Sequence, residues 1–446
     1  MIVRTGRALA TAVLFCACSA STPAPTPIPP KASPMPTRSL ETEARDFAAE
    51  LAAGAYDHPK TPFSSQLAGA APPDMLAKIW HGFESQGGKL TSVGDAKSET
   101  KGEFHVVTLP LAFERAKLNL RVAFDPAGNV AGITHDAGGT WSPPPYADAA
   151  AFSEREVTVG VHALPGTLTV PNGAGPFPAV VLVHGSGPSD RDETVGGTKP
   201  FKDLAWGLAS KGIIVLRYVK RSLHAPAGVV TSKDEVEDAA HEALALLRET
   251  PAVDAKQIFL LGHSQGGYMV PRVARTEPKL AGVVLMAGQA RPMEDLVVEQ
   301  LTYFATTIAP GDKKLAGQVE AAKAFKNSVE SPRLKAEDDV ALPIGKAKLK
   351  GAYFLDLRGY DAPATAAKLN KPVLVLQGER DYQVTVTDLE AWKSALGKRA
   401  TVRTYPALNH LFVAGSGTPG PAEYALAGHV DAPVVTDIGA FILQKR

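Results

Sequence analysis

Cysteine is almost absent from this chain of 446 residues, which has only Cys16 and Cys18, both close to the N-terminus. Because no cysteine follows Cys18, the rest of the chain cannot form an internal disulfide bond. An excess of charge of either sign is also absent, since 47 basic and 46 acidic residues give a formal net charge of +1. Such a chain has no basic field that would attract nucleic acid, and we expect no nucleic-acid partner.

The N-terminal apolar run is too short to cross a membrane. ALATAVLFCA follows the two arginines of MIVRTGR and has about half the length that a spanning helix needs. A basic start before a short apolar run is typical of an export signal. We therefore predict that residues 1–20 are a signal peptide and that the protein is periplasmic.

The end of that segment, LFCAC, loosely resembles the lipobox of bacterial lipoproteins. The resemblance implies that Cys18 carries a lipid and tethers the protein to a membrane. Ordinary cleavage after Ala20, which would leave a soluble periplasmic protein, stays open as the alternative.

Motifs for cofactors and metals are missing as well. No Gly-x-Gly-x-x-Gly loop, phosphate-binding lysine loop or metal-spaced group of His and Cys occurs in a suitable setting. We therefore expect no cofactor and no metal.

The composition that remains, with 45% hydrophobic and 21% charged residues, is that of a globular protein, and the length suggests two domains. Residues 21–37 are rich in proline and predict an extended linker. Residues 38–140 begin with a helical segment and continue with alternating runs such as FHVVTLPLAF, which predict a small α+β domain with an antiparallel sheet. This arrangement resembles the cystatin-like or NTF2-like modules that precede some exported bacterial hydrolases.

Strands and helices alternate in residues 150–446. The apolar runs are short, bounded by Gly or Pro and mostly without alternation, as is typical of buried parallel strands: 179–183, 213–216, 258–261, 283–286 and 373–376. The order predicts an α/β fold, a mostly parallel sheet with helices on both faces. Charged, helix-like segments at 289–370 interrupt this order, and we predict that they form a lid over the carboxyl ends of the strands.

One serine stands between glycines in GHSQG, directly after the apolar run 258–261 and before residues that fit a helix. A tight corner between a strand and a helix would hold the hydroxyl of Ser264 out of the sheet as a nucleophile. The alternative is that Ser264 merely caps a helix.

A nucleophilic serine needs a histidine base and a carboxylate that orients the histidine. Asp381 lies in GERDY after one strand-like run, and His410 lies in PALNH after the next. The chain order Ser264, Asp381, His410 is that of α/β-hydrolases. We predict that these three residues form the catalytic triad, with Glu379 as the competing acid.

A tetrahedral oxyanion also needs preset hydrogen-bond donors. The glycine-rich HGSGPSDRD follows the first predicted strand of the α/β region, and we assign the backbone N–H groups of Ser186 and Gln265 as the donors. His184 and His263 are interpreted as structural histidines.

Two further charged segments, DRDE (190–193) and Lys220-Arg221, are predicted at strand ends near the mouth of the site. Either they orient a polar substrate, or they form a solvated salt-bridge cluster that stiffens the rim.

From about Glu154 to Lys445 these motifs resemble an exported bacterial serine hydrolase of the α/β-hydrolase superfamily. The resemblance is to dienelactone-hydrolase-like esterases, some of them related to acyl-CoA thioesterases and bile-acid acyltransferases. It rests on HGSGPSDRDE (184–193), KPFKDLAWGLASKGIIVLRY (199–218), GHSQGG (262–267), GERDYQV (378–384) and the NH pair at 409–410. It departs at Val219, where an acid usually precedes Lys-Arg.

The motifs and the resemblance together predict a carboxylic-ester hydrolase that acts on small, short-chain acyl esters through an acyl-enzyme. A thioesterase, acyltransferase or peptidase using the same triad stays open. A different class is also open, a binding protein that keeps the hydrolase fold only as a scaffold.

Overall fold

The computed structural model describes residues 38–57, 61–70, 73–114, 117–137, 141–345, 347–425 and 427–444. The predicted signal peptide and linker, with Cys18, lie outside the described residues. Within those ranges no helix combines the length and the apolar character that crossing a membrane requires.

The N-terminal part consists of three helices followed by a five-stranded sheet. The helices are α1 (Leu40–Ala52), α2 (Ser65–Ala70) and α3 (Pro73–Gly87), and the strands are β1 (Leu90–Val93), β2 (Lys97–Lys101), β3 (Phe104–Phe113), β4 (Lys117–Phe124) and β5 (Val130–Ala137). The strand order is β1-β3-β4-β5, and β2 pairs antiparallel with β3. In β4 every second residue is buried, which is why the run alternates in sequence.

An eight-stranded sheet forms the centre of the second part, with the order β15-β14-β11-β10-β8-β9-β7-β6. The strands after β5 are β6 (Phe152–Val159), β7 (Leu164–Pro171), β8 (Phe177–Val183), β9 (Ile214–Tyr218), β10 (Val253–His263), β11 (Gly282–Met286), β12 (Asp339–Ala341), β13 (Lys348–Lys350), β14 (Val373–Gly378) and β15 (Ala400–Tyr405). Parallel pairing joins β8 to β9 and β10, and continues through β11 and β14 to β15. β7 pairs antiparallel with both of its neighbours in this sheet, β6 and β9.

Helices cover both faces of this sheet. The helices after α3 are α4 (Pro200–Ala209), α5 (Arg221–His224), α6 (Asp238–Arg248), α7 (Gln265–Thr276), α8 (Met293–Tyr303), α9 (Lys313–Glu330), α10 (Gly351–Leu357), α11 (Ala362–Ala366), α12 (Val386–Leu396) and α13 (Ala432–Leu443). Successive strand residues enter different cores: Leu260 packs in the cluster that includes residues of α6, α7 and α12, and Leu261 in the cluster that includes residues of α4 and α13. Burial on both faces explains why the runs lack alternation. The predicted fold class is confirmed.

The segment between β11 and β14 contains α8 to α11 and the antiparallel hairpin β12-β13. It has a small core of its own, in which Phe325 of α9 and Phe354 of α10 pack edge to face. This segment occupies the range of the predicted lid, 289–370, and its α10 carries Tyr353, whose hydroxyl reaches Gln265. The domain and lid boundaries stay predictions.

The helical spacing of Val236, Ala240, Leu244 and Leu247 predicts a helix over residues 234–249, and the structure begins it differently. DEVEDAAHEALALLRE (234–249) starts with a π-helical turn, Lys233–Glu237, before α6. The wider turn buries Glu235, Val236 and Glu237 in succession, and the two acids meet basic partners, Lys220 and Arg272. A regular amphipathic helix would place acids at these positions in solvent, so the tertiary ion pairs account for the difference.

Candidate active site

Ser264 occupies the corner between β10 and α7, and its backbone has φ 53° and ψ −118°. A residue with a side chain rarely adopts such a φ, and strain of this kind is concentrated at functional sites. The flanking glycines allow the close approach of α7 to the sheet. A Cβ at Gly262 would overlap the backbone of Gly266, and a Cβ at Gly266 would overlap the carbonyl oxygen of Val183. The GxSxG pattern therefore has a steric cause here.

The loops after β14 and β15 bring an acid and a histidine together. Nδ1 of His410 lies 2.6 Å from Oδ2 of Asp381, and the two side chains are 6% and 0% exposed. The other oxygen, Oδ1, accepts hydrogen bonds from the N–H groups of Gln383 at 2.8 Å and Val384 at 2.9 Å. Glu379, the competing acid, is exposed. The structure thus places Asp381, not Glu379, against His410.

A second contact joins the His410 loop to the nucleophile corner. His263, which precedes Ser264, has its Nε2 2.9 Å from the carbonyl oxygen of His410, and the two rings lie 4.7 Å apart. Ser264 itself is 8% exposed. The sequence predicted a structural role for His263, and the structure shows which segment it contacts.

The glycine-rich loop after β8 passes beside the same corner. A Cβ built on Gly185 would lie 3.1 Å from Cβ of Ser264, so the backbone that leads to Ser186 is close to the candidate nucleophile. Gln265 is the first residue of α7, where a helix leaves its N–H groups without partners inside the helix. Both positions suit donors to an oxyanion, and the donor assignment stays a prediction.

The Lys220-Arg221 segment differs from the solvated cluster that was one of its two interpretations. The side chain of Lys220 is 3% exposed, and its Nζ donates to the carbonyl oxygen of Gly185 at 2.7 Å and to Oε1 of Gln265 at 3.0 Å. Oε1 of Glu235 lies 3.2 Å from the same Nζ. Lys220 thus lies inside the protein and connects the glycine-rich loop to the residue after Ser264.

Tyr353 of α10 completes a group of four hydrogen-bonded and ion-paired residues. We name this group the docking network: Lys220, Glu235, Gln265 and Tyr353. The hydroxyl of Tyr353 donates to Oε2 of Glu235 at 2.6 Å and accepts from Nε2 of Gln265 at 2.6 Å. Burial tends to raise the pKa of Glu235, but the Lys220 ammonium and the Tyr353 hydroxyl outweigh it and hold that pKa below its usual value. Sequence reasoning missed the docking network. The acids within the apolar pattern of 234–249 were the only local signal.

The glycine-rich loop also contains a buried neutral histidine. Burial lowers the pKa of His184 to about 4, and its Nε2 lies 3.0 Å from the carbonyl oxygen of Asp190. Its ring packs against Phe201 and Tyr218. These contacts fit the structural role that the sequence predicted.

A mostly parallel sheet with a strained serine at the end of a central strand and an Asp–His pair after later strands is the arrangement of the α/β-hydrolases. Residues 176–414 match the family described as serine aminopeptidase, S33, and residues 44–133 match a family described as a protein of unknown function. Esterase EstD of Thermotoga maritima is 35% identical over 413 residues, which cover 91% of this chain and 96% of that protein. The chain belongs to the S33 family of hydrolases. The predicted resemblance to α/β-hydrolases is thereby confirmed.

Solved structures of similar fold include Est1E from Butyrivibrio proteoclasticus with bound ferulic acid. It is 16% identical, with a TM-score of 0.44, covering 65% of this chain and 98% of that chain. A putative dienelactone hydrolase from Klebsiella pneumoniae is 18% identical, with a TM-score of 0.38, covering 66% of this chain and 100% of that chain.

Proposed function

We propose that this hydrolase cleaves carboxylic esters with short acyl chains through Ser264, His410 and Asp381. The observation that carries the proposal is the buried 2.6 Å contact between His410 and Asp381, on loops that the sheet brings to the edge where Ser264 lies. The 35% identity to a protein named an esterase supports the choice of ester over amide.

In the proposed reaction, the hydroxyl oxygen of Ser264 attacks the acyl carbon while Nε2 of His410 takes the hydroxyl proton. The carbonyl oxygen becomes an oxyanion that accepts hydrogen bonds from the N–H groups of Ser186 and Gln265. His410 then gives its proton to the leaving alcohol, and water releases the acid from the acyl-enzyme by the same steps. Asp381 stays ionised throughout and keeps the proton of neutral His410 on Nδ1.

A peptidase is the second candidate, because the family's description is that of a serine aminopeptidase. An aminopeptidase needs a group, commonly an acid, that binds the free amino group of its substrate. Two buried acids close to the corner are already engaged, Glu193 with His263 and Glu235 with Lys220. This pairing favours a substrate without a free amino group.

A fluorophosphonate probe tests the nucleophile, because only an activated serine reacts with it. We expect the wild-type chain to be labelled, Ser264→Ala to lose the label, and Ser394→Ala, which removes an exposed serine of α12, to keep it. Labelling of Ser264→Ala at the wild-type rate would refute the assignment.

Matched substrates test the bond that is cleaved. We expect kcat/KM to be higher for p-nitrophenyl butyrate than for butyryl-CoA or for an aminoacyl p-nitroanilide. A higher value for the anilide would make the enzyme a peptidase, and a higher value for butyryl-CoA would make it a thioesterase.

We also propose that the protein is exported and held at a membrane by a lipid on Cys18. The short apolar leader cannot anchor a protein by itself, so acyl chains must supply the membrane affinity. In cell fractionation Cys18→Ser should then release active enzyme into the soluble fraction. Equal partitioning of the variant and the wild type would contradict the anchor.

A further inference from the structure

Glu193, the last residue of the DRDE segment, contacts the glycine-rich loop and the nucleophile corner at once. Its carboxylate is buried, and Oε1 accepts the N–H of Gly185 at 2.6 Å. The other oxygen, Oε2, lies 2.9 Å from Nδ1 of His263. Oε2 and Nδ1 are close enough for an ion pair, but the contact does not have the geometry of a hydrogen bond. Neither atom has a hydrogen-bond partner within the described residues.

The two ring nitrogens of His263 both face oxygen. Nδ1 faces the carboxylate of Glu193, and Nε2 lies 2.9 Å from the carbonyl oxygen of His410. A carbonyl oxygen has no proton, and the pKa of Glu193, which His263 and the Gly185 N–H hold below its usual value despite burial, leaves Oε2 without one. A neutral imidazole has one N–H and would point a lone pair at one of the two oxygens. Both contacts are favourable only when both nitrogens are protonated.

We propose that Glu193 and His263 form a buried carboxylate–imidazolium pair that positions His410 and the Gly185–Ser186 loop around Ser264. The pair holds the backbone of the catalytic histidine on one side and the backbone of the oxyanion loop on the other. Glu193 and His263 are positioning residues, since neither touches the reacting atoms. The consequence for catalysis rests on the proposed function, whereas the charge state of the pair does not.

Electrostatics agree with this geometry. Burial raises the pKa of the Glu193 carboxyl and lowers that of His263, but the mutual attraction reverses both shifts, so the pKa of Glu193 is lowered and that of His263 is raised. The other titratable groups around the pair are His184 on the side of Glu193, and His410 and Asp381 on the side of His263. Asp381 adds to the stabilisation of the imidazolium.

His184 provides a matched comparison in the same region. It is as buried as His263, but its Nε2 lies 3.0 Å from the carbonyl oxygen of Asp190, and no carboxylate among the described residues forms an ion pair with it. Burial lowers its pKa to about 4. At His184 burial, with a further contribution from Lys220, outweighs the attraction of Glu193, whereas at His263 the direct contact with Glu193 outweighs burial.

Nuclear magnetic resonance of the full chain with ¹⁵N-labelled histidine tests the charge state directly. At about pH 8, well above the ordinary histidine pKa of about 6.5, we expect two protonated nitrogens on His263 and one on His184. Resonances are assigned through bonds in the wild type, so the test does not depend on a variant that folds. One protonated and one unprotonated nitrogen on His263 would overturn the proposal.

Glu193→Gln tests the positioning role, with Asp192→Asn as the control for the loss of a neighbouring buried acid. Asp192 pairs with Lys199 and Arg217 and does not contact His263. Glu193→Gln should leave His263 neutral and lower kcat about 10²-fold with a smaller change in KM, because small misplacements of catalytic groups cost rate. Asp192→Asn should lose stability but keep the imidazolium and a kcat near that of the wild type.

Equal losses of kcat in Glu193→Gln and Asp192→Asn would mean that Glu193 contributes only to stability, as Asp192 does, and would overturn its positioning role. Failure of the proposed function is a separate result: wild-type enzyme would then remain unlabelled by the fluorophosphonate, whatever the protonation of His263.

Discussion

Asp381→Asn is the sharpest test of the triad, because the surroundings of Asp381 dictate how an amide would be oriented there. Oδ1 accepts two backbone N–H groups, from Gln383 and Val384. In the variant the amide oxygen must keep this place, since an NH₂ group cannot accept those bonds. The NH₂ group therefore takes the place of Oδ2, which lies 2.6 Å from Nδ1 of His410.

An NH₂ group only donates, so Nδ1 of His410 must become the acceptor and the ring proton must move to Nε2. Nε2 is the atom that has to take the proton of Ser264, and in this tautomer it has no free lone pair. The same change of tautomer in serine proteases lowers kcat about 10⁴-fold. This loss corresponds to about 5 kcal/mol of transition-state stabilisation. We expect a loss of that size here, with a much smaller change in KM.

The assay compares kcat for p-nitrophenyl butyrate in wild type, Asp381→Asn and Glu379→Gln at one pH, with thermal melts to confirm folding. Glu379 is exposed on the same loop, and Asp381 is the acid that contacts His410, so Glu379→Gln should lose far less kcat than Asp381→Asn. The assignment of Asp381 is refuted if folded Asp381→Asn keeps more than a tenth of wild-type kcat, or if Glu379→Gln is the variant that loses most of its kcat.

Three further predictions concern stability. Tyr353→Phe leaves a buried carboxylate and an amide of the docking network short of a partner and should lower the free energy of unfolding by about 2–4 kcal/mol. The control is Tyr360→Phe, which removes a hydroxyl that donates to the neutral carbonyl oxygen of Tyr268 at 2.9 Å. It should lose about 1 kcal/mol, with both variants measured by urea titration. Equal losses of unfolding free energy in the two variants would contradict the role of the charged contact. Gly266→Ala should not yield folded protein, because its Cβ would overlap the neighbouring strand, whereas Gly317→Ala on α9 has open space and should gain about 0.5–1 kcal/mol; a stable, active Gly266→Ala would refute this. His184 has a pKa of about 4 when folded, and an unfolded histidine takes up its proton near pH 6.5, so stability should fall by about 3 kcal/mol as the pH falls between these values. His184→Gln should remove that part of the decline in unfolding experiments at several pH values, and an unchanged pH dependence would refute it.

The parallel part of the sheet could be predicted because its signal is local. The runs at 179–183 and 258–261 are continuous because both faces of β8 and β10 are buried. The edge strand β6 has no such run. Most of its residues are exposed, and Glu154 and Glu156 are held by partners elsewhere, Arg217 and Arg191. Pairing with β7, which local hydrophobicity does not record, makes that segment a strand.

The candidate nucleophile, acid and base could also be selected from the sequence, because α/β topology fixes where they occur. Parallel strands end at one edge, so residues directly after β10, β14 and β15 meet there although more than a hundred residues separate Ser264 from Asp381. The choice between Glu379 and Asp381 needed the structure. Both residues follow the same strand, and only the path of the loop decides which carboxylate faces His410.

Buried charges are the part that sequence reasoning could not reach. From the sequence alone, Lys220 and Glu193 are expected at the surface, because burying an isolated charge is too costly. Each becomes stable inside the protein only through a partner that is distant in the chain: Glu235 for Lys220, His263 for Glu193. Both pairs contact Gly185 or the residues beside Ser264. Charge-assisted hydrogen bonds are strong and directional, so these two pairs can hold the loops around Ser264 in place.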